Sequence, residues 1–130
     1  MKTTIKWNEM NKKPKIALII PARYKSSRFP GKPLVDILGK PMIIRVSELS
    51  AEAVGKKNVY VATDDKRIGN EVLKNDYNLI YTSEKCLTGT DRVAEASNKI
   101  DADIYINVQG DEALLDPNDI LKCIEFKIKN

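Results

Sequence analysis

Residues 16–33 of the chain read IALIIPARYKSSRFPGKP. The first part, residues 16–20, is a continuous apolar run that stops at Pro21. A short run of this kind, rich in β-branched residues, predicts a strand that is buried on both faces of a sheet. The residues that follow form a long basic loop, so this buried strand is expected to end in a cluster of positive charge.

The rest of the chain repeats the order of strand, loop and helix. Further apolar runs predict strands at residues 58–62, 78–81 and 103–108. Apolar residues at helical spacing predict helices at residues 41–54, 65–75, 90–100 and 117–127. This alternation indicates an α/β fold, Rossmann-like and doubly wound, with a mostly parallel sheet and helices on both faces. Residues 1–15 are expected to be a tail, and residues 16–130 one α/β domain.

Local signals predict where these helices begin, where they stop and which side they bury. Pro41 is expected in the first turn of the first helix, and Gly55 is expected to stop it. Thr88 or Thr90 is expected to cap the helix at 90–100, and Asp116 the last one. The predicted apolar stripes are Met42, Val46, Leu49 and Ala53 on the first helix, and Ile68, Val72 and Leu73 on the second.

The composition excludes several kinds of chemistry. The chain has 130 residues, a net charge of +4 and no histidine. Without histidine, neither a Ser-His-Asp nor a Cys-His nucleophile can be built, and a zinc site would depend on carboxylates and two cysteines. These cysteines, Cys86 and Cys123, lie far apart and are predicted to be free thiols. We find no secretory signal and no membrane span in the sequence, so a cytoplasmic protein is expected.

The loop after the first strand concentrates positive charge where a parallel sheet binds ligands. It holds Arg23, Lys25, Arg28 and Lys32, which suit the phosphates of a nucleoside triphosphate. It is not a Walker A loop, because a proline follows Lys32, and the chain has no Gly-x-Gly-x-x-Gly motif. The alternative is a loop that is merely basic and solvated.

Polar groups also follow the other three strands. Asp64 and Asp65 follow the second strand, where a helix cap is the simpler interpretation. A turn with Gly89 at a helix start follows the third, and it suits either a nucleoside contact or an ordinary cap. Asp111 and Glu112 follow the fourth, where they form either a turn or a Mg²⁺ site. Basic residues and a metal carboxylate at one sheet edge favour phosphoryl or nucleotidyl transfer.

The motifs at these positions resemble those of the cytidylyltransferases that activate sugar acids. Within that group, the 3-deoxy-manno-octulosonate cytidylyltransferase (CMP-Kdo synthetase) family is the most similar. The matching blocks are residues 19–34 (IIPARYKSSRFPGKPL), 39–42 (GKPM), 61–64 (VATD), 88–92 (TGTDR) and 108–112 (VQGDE). Five blocks in the same order are much more specific than any one of them.

The resemblance implies a site for CTP and Mg²⁺, a sugar acid as the second substrate, and roles for particular residues. The residues that it places against CTP are Ala22, Arg23, Arg28, Lys32, Ala62, Thr63, Asp64, Gly89, Thr90, Arg92 and Gln109. Arg23, Arg28 and Lys32 would act in catalysis by holding the triphosphate, and Asp111 by binding Mg²⁺. The resemblance further implies that the chain corresponds to the N-terminal, nucleotide-binding part of a longer enzyme that forms a homodimer for lipopolysaccharide synthesis.

Some positions depart from the family pattern. Phe29 stands where leucine is usual, Lys25 where a small residue is common, and Ala113 where proline usually follows the acidic pair. Cys86 and Leu87 stand where the family usually reads His-x before Ser-Gly.

The alternatives to this function are a synthetase for another sugar acid and an inactive fragment that still binds CTP. Nucleic-acid binding is indicated only by the basic pI, because the sequence has no basic stripe with aromatic residues. Neither a nucleic acid nor a membrane is therefore expected as a partner.

Overall fold

The computed structural model describes residues 14–25, 28–111 and 116–129. The strands among these residues are β1 Ile16–Pro21, β2 Asp36–Ile37, β3 Lys40–Pro41, β4 Val59–Thr63, β5 Asn78–Tyr81 and β6 Ile104–Asn107. The helices are α1 Met42–Val54, α2 Lys66–Lys74, α3 Gly89–Ser97 and α4 Pro117–Lys129, with short 3-10 turns at Lys32–Leu34 and Lys56–Asn58. Of the predicted tail, residues 1–13 lie outside the described residues, and residues 14 and 15 are described.

The larger sheet has the strand order β5-β4-β1-β6, and its neighbouring strands are parallel. Strand β1 lies between β4 and β6, and all its residues are buried, as its continuous apolar run predicts. The chain first builds the sheet outward through β4 and β5 and then returns to the other side of β1 to place β6. The predicted α/β fold is therefore confirmed.

The two faces of the sheet are covered unequally. On one face, Leu18 and Ile20 of β1 pack in a large core that includes residues of α1, α2 and α4. On the other face, α3 packs over β1 and β4. The residues in that contact include Ala17, Ala62 and Ala96, which are all fully buried. Because alanine side chains are small, α3 lies close to the sheet, and its first residues are held near the end of β1.

Helix α1 corrects the predicted stripe. Of the four residues expected inside, Val46 is buried, whereas the other three are only half-buried. The buried side instead carries Ile43, Ile44, Val46, Ser47 and Ser50. The Ser47 hydroxyl donates to the Ile43 carbonyl at 2.7 Å, which lets a polar side chain enter the core. The hydroxyl oxygen of Ser50 has no hydrogen-bond partner within the described ranges.

The helix boundaries agree in part with the sequence. Gly55 stops α1 with a φ of 89°, as predicted, but Pro41 lies at the N-cap, one residue before the helix. Thr88, not Thr90, caps α3 by accepting from the Asp91 amide at 3.0 Å. Asp116 caps α4, as predicted. None of the helices in the described part of the chain is long and apolar enough to cross a membrane.

The antiparallel hairpin of β2 and β3 was not predicted. Its turn, Leu38-Gly39, has positive φ at both residues, 51° and 94°. Leucine is unusual in that conformation, so this turn lacks the Asn-Gly or Asp-Gly signal by which hairpins are recognised. Asp36 accepts from the Gly39 amide at 3.4 Å and helps to close the turn.

Asp65 caps α2, and we expect its contribution to depend on pH. It accepts from the amides of Arg67 and Ile68 at 2.8 and 3.3 Å. A hydrogen bond from the Arg67 side chain is the main reason why the pKa of Asp65 lies below its ordinary value of 3.8. The stabilisation is therefore complete above that value and is lost as the pH falls through the lower folded-state pKa.

Asp65→Ala should lower the free energy of unfolding by about 1 kcal/mol at neutral pH, the usual cost of losing a cap. The difference from the wild type should shrink on acidification, as followed by urea unfolding from neutral pH downward. Glu52→Ala, which removes an exposed carboxylate from α1, is the control. A difference for Asp65→Ala that stays constant down to acid unfolding would contradict this account.

Candidate functional site

A cavity of about 250 Å³ lies beyond the carboxyl ends of β1 and β6. These two strands are neighbours in the sheet, although β4 and β5 come between them in the sequence. The cavity therefore lies where the strand order switches. Ligands of open α/β sheets bind in this position. The residues that line the cavity are Pro21, Ala22, Arg23, Lys32, Pro33, Met42, Gly89, Arg92, Gln109, Gly110 and Asp111.

Gly110 brings the ends of β1 and β6 close together. A Cβ atom at Gly110 would lie 2.9 Å from the carbonyl oxygen of Pro21, which is backbone and cannot move aside cheaply. At the neighbouring start of α3, a Cβ atom at Gly89 would lie 3.4 Å from the Pro21 ring, an ordinary contact. Gly110 is therefore the residue that allows the backbone after β6 to approach the end of β1 beside the cavity.

The cavity brings a basic and an acidic residue from opposite walls into contact. Lys32 Nζ lies 3.4 Å from Asp111 Oδ2, and both side chains are about half-exposed. Arg23 donates through Nη1 to the Leu87 carbonyl at 3.3 Å. Together with Arg92, the lining has three cationic side chains against one carboxylate. An anion is the ligand that this balance favours.

The basic loop, residues 22–33, turns back on itself. The Gly31 amide donates to the Tyr24 carbonyl at 2.7 Å, and the left-handed φ of 75° at Gly31 makes this turn possible. Arg28 is exposed. Residues 26–27 lie outside the described residues.

A second cavity, of about 560 Å³, adjoins the first and shares Arg23 and Arg92 with it. Arg92 is 3% exposed, and its Nη1 donates to Thr82 Oγ1 at 2.5 Å. The same nitrogen lies 3.6 Å from Asp64 Oδ1. Arg92 therefore joins the ends of β4 and β5 and forms a fixed wall between the two cavities. No sequence signal pairs Asp64 with Arg92, because their contact arises from the packing of α3 against the sheet.

Cys86 lies in the lining of the second cavity, where the resembled family usually has histidine. Burial is the main reason why the pKa of its thiol is raised, and the nearby Glu95 raises it further. A thiol with a raised pKa remains protonated at neutral pH and is a poor nucleophile. Both cysteines are free, as predicted.

The structure brings most of the predicted site residues together. Those that line the first cavity are Ala22, Arg23, Lys32, Gly89, Arg92, Gln109 and Asp111, and Asp64 lines the second. Ala62 and Thr63 are fully buried in β4, and Thr63 Oγ1 accepts from the Asp65 amide at 3.2 Å. Their side chains are therefore not exposed to a nucleotide. Thr90 is exposed on the first turn of α3. Glu112, the predicted second carboxylate, and Ala113 lie outside the described residues.

Comparison with known proteins places the chain in a family. The family model described as cytidylyltransferase matches residues 17–130. The chain belongs to the cytidylyltransferase family. A 3-deoxy-manno-octulosonate cytidylyltransferase of Escherichia coli is 49% identical over 106 residues, which are 82% of this chain and 43% of that protein. An 8-amino-3,8-dideoxy-manno-octulosonate cytidylyltransferase of Shewanella oneidensis is 49% identical over 114 residues, covering 85% and 46%.

Solved structures of cytidylyltransferases have the same fold. A CMP:2-keto-3-deoxy-manno-octonic acid synthetase in complex with CTP aligns with a TM-score of 0.85 and 45% identity, over 89% of this chain and 48% of that one. A cytidylyltransferase of Leptospira borgpetersenii gives 0.79 at 23% identity, over 90% and 50%. The resemblance found in the motifs is thus confirmed. The chain spans about half the length of the relatives that it matches.

Gly110→Ala should destabilise the protein by about 1–3 kcal/mol, the usual cost of forcing extra volume into a packed site. The added Cβ would push the loop after β6 away from Pro21 and widen the cavity. Gly89→Ala is the matched control, because its Cβ would make only ordinary contacts. Thermal unfolding of both variants measures the difference, and equal stability would show that the close approach at Gly110 is unimportant.

Proposed function

We propose that the chain forms the CTP site of an enzyme that transfers CMP to 3-deoxy-manno-octulosonate, releasing pyrophosphate, in lipopolysaccharide synthesis. The main support is the placement of Arg23, Lys32 and Asp111 around one cavity at the switch point of the sheet, in a chain of the cytidylyltransferase family. A triphosphate fits the excess of positive charge at this place.

The triphosphate is assigned to the first cavity. Lys32 and Arg23 face it from the basic loop, where a lysine supplies a mobile charge and an arginine a forked donor. Arg28 is assigned to the same ligand from the exposed part of the loop. Because the ion pair between Lys32 and Asp111 is half-exposed, it contributes only about 0–1 kcal/mol, so a triphosphate can take Lys32 from Asp111.

The cytidine is assigned to the region where the two cavities meet. Ala22, Gly89 and Gln109 lie in the lining of the first cavity, and Asp64 in that of the second. Arg92 contacts Thr82 and Asp64. We therefore assign Arg92 the role of maintaining the shape of the pocket at the wall between the two cavities. Thr90 is assigned to the rim at the start of α3. Ala62 and Thr63 act from within β4 by fixing the position of Asp64.

The residues present fit a divalent cation that is shared with a triphosphate. In the described part of the chain, no group of three or more His, Cys, Asp or Glu residues lies together, so a metal cage made only of protein is not seen there. Mg²⁺ commonly takes one or two carboxylates and completes its shell with substrate phosphates and water. Asp111, a half-exposed carboxylate on the cavity, would supply the protein ligand. When bound, Mg²⁺ neutralises charge on the phosphate oxygens.

In the proposed reaction, the protein mainly positions the two substrates and neutralises the negative charge of the triphosphate. The anomeric hydroxyl of the sugar acid loses its proton to water and attacks the α-phosphorus of CTP. The bond from the α-phosphorus to the oxygen that bridges it to the β-phosphorus breaks, and pyrophosphate leaves. Arg23 and Lys32 oppose the charge that accumulates on the leaving group. The residues that line the cavity would hold the nucleotide for this attack, and such positioning can supply a large part of a rate enhancement.

An 8-amino-3,8-dideoxy sugar acid is the second candidate substrate. Relatives named for the two sugar acids are each 49% identical to this chain. The two sugars differ at carbon 8, whereas the attacking hydroxyl is on carbon 2, at the other end of the molecule. Groups that surround the nucleotide therefore need not differ between the two enzymes. The homodimer implied by the resemblance and the cytoplasmic location expected from the sequence stay predictions.

Release of pyrophosphate tests the proposed function. We expect the enzyme to release pyrophosphate from CTP, in the presence of Mg²⁺, when 3-deoxy-manno-octulosonate is added, and to prefer this sugar acid to the 8-amino sugar. A preference for the amino sugar would select the second candidate. Isothermal titration of the 130-residue chain with CTP tests the nucleotide site separately, and absence of binding would refute the site.

Lys32→Met should weaken CTP binding about tenfold or more, because a hydrogen bond to a charged group is worth about 1.5–3 kcal/mol. The methionine keeps much of the length of the side chain and removes its charge. Lys122→Met, on the exposed side of α4, is the control for the loss of one positive charge. Equal CTP affinities of the two variants in the titration would remove Lys32 from the site.

Asp111→Asn should abolish the gain in CTP affinity that Mg²⁺ gives the wild type, while CTP binding without metal is retained. The substitution keeps the shape of the side chain but removes the anionic ligand that Mg²⁺ needs. Titrations of CTP with Mg²⁺ and with a chelator measure the gain, and circular dichroism checks the fold. A variant that responds to Mg²⁺ as the wild type does would place the metal elsewhere.

A further inference from the structure

Tyr24 links the basic loop to helix α2. Its ring lies against Gly31, where an added Cβ atom would come within 2.9 Å of the ring. The guanidinium of Arg67, in the first turn of α2, lies over the same ring at 3.3 Å from its centre. Lys32 follows Gly31 directly and begins the 3-10 turn that faces the first cavity. We call Gly31, Tyr24 and Arg67 the Tyr24 stack.

Arg67 is itself held in place by a carboxylate. Its Nη2 and Nε lie 2.8 and 3.2 Å from the two carboxylate oxygens of Asp65, a forked pair of bonds. Asp65 is fixed in turn, because it also caps α2 through the amides of Arg67 and Ile68. The guanidinium is therefore aimed at Tyr24 by a rigid element, although more than half of its side chain is exposed.

We propose that Arg67 is a positioning residue for the triphosphate, which acts by holding Tyr24 against Gly31 and thereby holds Lys32 at the cavity. This inference rests on the proposed function, because it concerns the same CTP site. Arg67 does not line either of the two cavities described above. Its effect on the ligand is therefore assigned to the Tyr24 stack and not to a contact of its own.

The physical reason for such a stack is the charge of the loop. Arg23, Lys25, Arg28 and Lys32 repel one another when no anion is bound, and repulsion favours an open loop. The cation over the Tyr24 ring and the bond from the Gly31 amide to the Tyr24 carbonyl oppose this opening. A loop that is already closed loses less conformational freedom when the triphosphate binds, so affinity increases.

Removal of the Arg67 side chain tests the stack. Arg67→Met should weaken binding of CTP and of inorganic tripolyphosphate about threefold to tenfold, a change of the size that cation–π contacts carry. The affinity for cytidine, which has no phosphate, should not change. Lys66→Met is the matched control, because the neighbouring exposed lysine carries the same charge on the same helical turn. Arg67→Lys, which keeps a cation but loses the fork, should recover part of the affinity.

A double-variant cycle separates the stack from a general effect of charge. Tyr24→Leu and Arg67→Met should weaken tripolyphosphate binding non-additively, since each breaks the same contact. Equal effects of Arg67→Met and Lys66→Met, full additivity in the cycle, or an equal loss of cytidine affinity would each overturn the proposed role of Arg67. If the wild type binds neither CTP nor tripolyphosphate, the proposed function fails together with this inference.

Discussion

The site depends on the close approach of two strand ends. The Gly110 backbone lies so near the Pro21 carbonyl that no larger residue fits, and this contact joins the exits of β1 and β6. The basic loop leaves from one exit, and Asp111 follows the other. Lys32 and Asp111 are thereby brought to the same cavity. The buried strand β1 supports this arrangement, since it is paired with β4 on one side and with β6 on the other.

Ion pairs around the cavities differ in how easily a ligand can exchange them. Arg92 is almost completely buried and has Thr82 and Asp64 as partners, so breaking its contacts would leave a buried charge without compensation. Lys32 and Asp111 are half-exposed and hold each other only weakly. The same type of interaction therefore has two uses here. The buried pair fixes the wall between the cavities, whereas the exposed pair leaves both groups available to an incoming anion and its cation.

The sequence predicted the elements whose signals are local. A continuous apolar run was enough for β1, and β5 has the predicted bounds. The caps at Asp65, Thr88 and Asp116 depend on bonds within one turn. The buried side of α1 could not be predicted in the same way, because it includes a polar residue. The Ser47 hydroxyl donates to the Ile43 carbonyl, which allows Ser47 to lie in the core. The hairpin at Leu38 was missed because its turn places Leu38 in a positive-φ conformation that leucine does not favour.

The partners of the site residues were harder to predict than their positions. Motifs that follow each strand indicated Asp64 and Arg92, but the packing of α3 against the sheet brings the two together. Arg67 is not one of the polar residues that directly follow a strand, and its sequence context predicts only an ordinary helix. Asp65 shows why such a residue is easily overlooked: one carboxylate both caps α2 and aims Arg67. A change at Asp65 therefore removes the cap of α2 and the support of Arg67 together, whereas a change of the Arg67 side chain leaves the bonds from the α2 amides to Asp65 in place.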